Sequence, residues 1–119
     1  MTFRFKNFKV YQDAKDFCGF CRGIIDKQIT DRDLAAQLRR ALNSIVLNIA
    51  EGSADSSDTE FARFLGMSVR SVYEVVAGFD IAFHYKMITN VLNETIEKEA
   101  EGLVKQLSGF RSSLKKGSS

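Results

Sequence analysis

Residues 31–53 read DRDLAAQLRRALNSIVLNIAEGS, and the spacing of their apolar side chains decides the fold. Projected at 100° per residue, Leu34, Leu38, Ala41, Ile45 and Ile49 fall in one sector of about 80°, the stripe of an amphipathic α-helix. Leu42 and Val46 widen that stripe, whereas Leu47 points to nearly the opposite side, beside Ala36. Gln37, Arg40, Ser44, Asn48 and Glu51 form a polar row of their own. The pattern predicts a helix over about 31–51, with Thr30 as N-cap, Asp33 reaching back in a capping box, and Gly52 just past the end.

The same period recurs on both sides of this segment. Upstream, Tyr11, Ala14, Cys18, Cys21 and Ile25 are spaced by threes and fours, with Val10, Phe17 and Ile24 beside them, giving a helix over about 8–29. Downstream, Ser53, Ala54, Asp55 and Ser56 form a polar linker, and Ser57 with Glu60 is a second capping box. A third helix runs from there to about Met87, with Phe61, Leu65, Ser68, Val72, Val75, Phe79 and Phe83 inward. Thr89 and Asn90 break the pattern. A fourth helix over about 92–115 carries Leu92, Ile96, Ala100, Leu103, Leu107, Phe110 and Leu114, with glutamates early and Arg111, Lys115 and Lys116 late, in keeping with the helix dipole. The tail Gly117, Ser118, Ser119 is expected to fray.

The 119 residues contain no proline, where average usage of about 5% would place about six. Four helices with short connections predict an all-α, antiparallel up-down four-helix bundle spanning residues 1–119 as one domain. At 45% hydrophobic residues and net charge +2 the chain is no disordered polymer, and two cysteines three residues apart cannot staple a secreted fold. No apolar run reaches the ~18 residues of a membrane span, and MTFRFKNFKV lacks the apolar core of a signal peptide. The expectation is a cytoplasmic protein with reduced cysteines.

Enzyme chemistry finds no foothold. Cys18 and Cys21 lie mid-helix on core-facing positions rather than at the helix N-terminus of a redox motif. A zinc site lacks ligands, since His84 is the sole histidine and sits on another helix. There is no glycine-rich phosphate loop and no strand to build a nucleophile elbow. We expect no catalytic residue, cofactor or metal.

Apolar surface is in surplus. Opposite its core stripe the third helix carries Arg63, Met67, Arg70, Glu74, Ala77, Ile81 and Tyr85, part charged and part apolar. With Leu47, this second mixed face predicts self-association through Leu47, Met67, Ile81 and Tyr85. The polar row reads either as a solvated face or as a hydrogen-bonded seam in which Arg40 pairs with Glu51 or Glu74.

Gln37-Leu38-Arg39-Arg40-Ala41, followed by Ser44-Ile45-Val46-Leu47-Asn48-Ile49-Ala50-Glu51-Gly52-Ser53, resembles the "QLRRA..SI..NIAEGS" signature of four-helix-bundle proteins related to the 23S ribosomal RNA intervening-sequence protein. Glu60-Phe61-Ala62-Arg63-Phe64-Leu65 is similar to that family's "EF.RFL", and Phe8-Lys9-Val10-Tyr11-Gln12-Asp13-Ala14 to its opening "L.VYQ.A". Val46 stands where many members have proline, and Arg70-Ser71 where Gly-Ser is usual. The resemblance implies an up-down bundle assembled as a ring of five. It also implies RNA-linked partners, because members occur inside ribosomal RNA genes and a related group serves the reverse transcriptases of diversity-generating retroelements.

The candidate phosphate contacts are Arg39, Arg40, Arg63 and Arg70, with Arg4, Lys6 and Lys9 in an N-terminal arm whose Phe3, Phe5 and Phe8 could stack on bases. Alternatively, the arm packs those rings on a neighbouring copy. Positive charge is local: residues 1–30 carry six cations and three anions, residues 31–60 the reverse. Two functions follow: binding of structured RNA or DNA or of an RNA-handling protein such as a reverse transcriptase, or a purely structural or protein-binding oligomer.

Overall fold

A computed structural model describes residues 2–54 and 57–117. After a 3-10 turn over Arg4–Asn7 come α1 (Lys9–Gln28), α2 (Arg32–Ser53), α3 (Asp58–His84) and α4 (Asn90–Gly117). They form an antiparallel up-down bundle of 47 × 24 × 20 Å in which α2–α3 and α3–α4 pack most extensively and α1 more lightly. Asp55 and Ser56 of the expected linker, and Ser118 and Ser119 of the expected tail, lie outside the described residues.

The inward stripes meet as expected. Leu38, Leu42, Ile45 and Ile49 from α2 join Phe61, Leu65, Val72, Val75 and Phe79 from α3, all buried. Cys18 and Cys21 belong to the same core. Ser57 caps α3, its hydroxyl accepting the Glu60 N–H.

Several helix ends differ from expectation, each for a local reason. Asp31, not Thr30, caps α2: its Oδ1 accepts the Leu34 N–H at 2.9 Å. A carboxylate there also meets the positive end of the helix dipole, which a hydroxyl does not. Gly52 is inside α2 rather than beyond it. It is there because a Cβ would come within 2.7 Å of Phe64 Cβ and 2.8 Å of Phe61 Cδ1. Thr89 caps α4 through its Oγ1, so α4 starts at Asn90, two residues before Leu92. Helix α3 stops at His84, short of Met87, because Lys86 takes φ 63°. The Lys86 N–H then donates to Phe83 O and the Met87 N–H to Ala82 O, a Schellman ending without its usual glycine.

The N-terminal arm is not free. Phe8 packs against Phe61 and Phe110, with centroids 6.1 and 5.5 Å away, and Phe5 meets Tyr11 edge-on. The arm folds onto its own bundle, so Phe5 and Phe8 are spent on packing and only Phe3 stays exposed.

Candidate functional site

The α2–α3 pair positions the candidate face. Ser68 Oγ donates to Ile45 O at 2.8 Å, Ser71 Oγ to Ser44 Oγ at 2.9 Å, and Asn48 Nδ2 to Ser44 O and Oγ at 2.8 and 3.0 Å. Small residues let the helices close: a Cβ on Gly78 would lie 2.5 Å from Leu38 Cδ2. The polar row therefore divides. Ser44 joins the interhelix seam, with the buried Asn48 bonded to it from the same helix, while Gln37, Arg40 and Glu51 remain exposed.

The anticipated pairing of Arg40 does not form. Ion pairs among the described residues are Lys9–Asp13, Arg39–Asp26 and Arg63–Glu60. Glu51 lies three helical turns from Arg40 along α2, too far for a side chain to span.

Outside the seam runs an apolar line. Leu47 is 55% exposed, Met67 40%, Ile81 47% and Tyr85 68%. Extending the antiparallel register of the serine contacts sets Leu47 level with Met67 and Arg40 level with Glu74. All four residues expected at an interface are thus open to solvent on the single chain. Tyr73 and Val91, which the periodic reading passed over, are exposed as well.

The expected cations do not share one surface. Arg4 donates from Nε to Ser53 O at 3.1 Å, capping α2, and stands over the Phe8 and Phe61 rings. Lys6 lies over Phe3, and Lys9 pairs with Asp13. Arg39 turns toward α1 to meet Asp26 at 2.7 Å, because 100° of helix rotation separates it from Arg40. Arg63 grips Glu60 through two nitrogens, at 2.5 and 2.6 Å, and lies 4.8 Å from the Phe64 centroid. Arg40 and Arg70 make no ion pair among the described residues.

Arg111, absent from the sequence-based candidates, covers Gly66 on α3. A Cβ there would stand 3.3 Å from both Cζ and Nε and 3.5 Å from Nη2, so the guanidinium presents its plane to the glycine. Its Nε is enclosed and without a hydrogen-bond partner. A lone glycine inside a helical pattern is the one sequence signal that could have pointed here.

Two of the grooves have the opposite charge. One of 490 Å³ between α1 and α4 is bordered by Asp13, Asp16, Glu99 and the exposed Phe20. Another between α3 and α4 is bordered by Asp80, Glu97 and Glu101. Both repel phosphate. Among the described residues no cluster of acidic, histidine and cysteine side chains could hold a metal, and no helix is long and apolar enough to cross a membrane. Cys18 donates its S–H to Leu42 O at 3.3 Å; burial pushes its pKa up to about 11 and that of Cys21 to about 12, so both are protonated thiols at neutral pH. His84 is exposed beside Tyr85.

The fold is shared with a crystal structure of a protein of unknown function from the S23 ribosomal protein family of Bacteroides thetaiotaomicron VPI-5482. The two superpose with a TM-score of 0.76 at 18% identity, over 86% of this chain and 97% of that one. No curated protein matches the sequence. The sequence profile of the 23S rRNA-intervening sequence proteins matches residues 6–109, and the chain belongs to that family.

Proposed function

We propose that this is a non-catalytic homo-oligomer that binds structured RNA. The observation that carries the reading is the line of Leu47, Met67, Ile81 and Tyr85, apolar side chains left open along the most closely packed helix pair. A second copy removes them from water, and Arg40 and Glu74, level with each other, supply opposite charges for a polar rim. Arg70 and Arg63 stand between this line and Gly66, where phosphates can reach them once copies have assembled. Family membership supports RNA as the ligand, and the ring of five is what the resemblance in the sequence implies.

Light scattering tests the assembly: the expected particle has five times the 13.4 kDa chain mass, and Leu47→Glu should break it into smaller species. A dilute particle of one chain mass would overturn the assembly. Titration with a folded RNA hairpin at two salt concentrations tests the ligand, because phosphate contacts weaken steeply with salt. A second reading, an oligomer that contacts only protein, draws on the internal engagement of Arg4, Lys6, Lys9, Arg39 and Arg63. Salt-insensitive or absent hairpin binding would favour it.

A further inference from the structure

We propose that Arg111, held over Gly66 with Arg70 one turn along α3, is a phosphodiester-contacting site for folded RNA. The proposal rests on the RNA-binding reading above and names the surface that carries it. Gly66 is half-buried inside α3, and the missing Cβ leaves the space that the guanidinium fills. Arg70 follows Gly66 by four residues, one turn along the same side of α3, whereas Arg63, three residues before it, turns to Glu60, Phe64 and Met67.

Their pairing is uneven. Arg63 is held by Glu60, which fixes its direction but leaves it charge-compensated. Arg70 and Arg111 make neither an ion pair nor a hydrogen bond among the described residues, and the enclosed Nε of Arg111 has no acceptor. A half-buried arginine is normally matched by a carboxylate or a carbonyl. Here none is supplied by the described residues. A planar guanidinium with its plane against backbone suits the paired oxygens of a phosphodiester. The two acid-bordered grooves disfavour phosphate where they run, unlike this shoulder of the bundle.

The test uses the full chain labelled with 15N-arginine, together with Arg111→Gln and the control Lys98→Gln, which removes a cation from another part of α4. Addition of a folded RNA hairpin should shift the Arg111 Nε–Hε resonance. Arg111→Gln should weaken hairpin binding roughly tenfold and lower the salt slope by about one contact relative to Lys98→Gln. Inorganic phosphate is titrated separately. A phosphate-induced shift without any hairpin binding would keep the anion site and overturn its assignment to RNA. Hairpin binding with an unmoved Arg111 resonance, or equal losses in the two variants, would overturn the site and leave the RNA-binding reading intact. No shift with either probe removes the site altogether.

Discussion

Glycine does opposite things on the two sides of this bundle. Between α2 and α3, Gly52 and Gly78 admit neighbouring side chains so closely that no Cβ fits. On α1 and α4, Gly19, Gly23, Gly102 and Gly109 have nothing within 4 Å of where a Cβ would stand. The first pair converts missing side chains into close helix approach, with serines hydrogen-bonding across it. The other four face open space, Gly102 at the groove between α1 and α4, and there a glycine costs helix stability without a packing return. Closeness in a bundle thus depends less on how many small residues there are than on whether they face each other.

The largest effect should come from filling the tight side. Gly52→Ala puts a methyl against Phe64 Cβ, an atom that cannot move without the backbone, and should destabilise the fold by about 2–3 kcal/mol in urea unfolding. An unchanged midpoint would show that α2 and α3 are less closely coupled than their glycines suggest. Removing the seam without adding bulk is milder. Ser68→Ala loses the bond to Ile45 O, a carbonyl on the neighbouring helix, and should cost about 1 kcal/mol.

On the open side the sign reverses. Gly102→Ala and Gly109→Ala should each stabilise by about 0.5–1 kcal/mol, read as a raised melting temperature. A loss in either would mean that the space beside that glycine is occupied in solution. The smallest contrast is electrostatic. Lys9, followed by Gln106, holds the Asp13 carboxyl below its ordinary range. A lowered folded-state pKa contributes stability above the unfolded-state value that is lost as pH falls through the folded one. Stability should therefore decline below about pH 4, and Asp13→Asn should flatten that limb slightly in acid titrations followed by circular dichroism.

Four helices and their inward residues were legible in the sequence because burial imposes the 3.6-residue period directly on residue type. Ends were less so. Thr30 and Asp31 are adjacent and both suited to capping, and only the bond from Leu34 separates them. Gly52 carries a signal shared by helix stops and close contacts. Lys86 ends α3 in a left-handed conformation that no residue-type rule assigns to lysine. The exposed Leu47, Met67, Ile81 and Tyr85 were visible as departures from a stripe. Arg39–Asp26 and Arg111 over Gly66 were not, because each joins residues on different helices whose rotation about their axes the period alone does not specify.

The paired cysteines give the molecule a built-in clock. Both thiols sit in the core with their ionisation suppressed, so a maleimide can reach them only when α1 lifts away from α2. The rate of labelling in native buffer therefore counts detachments of α1, and any partner that holds α1 in place should slow it.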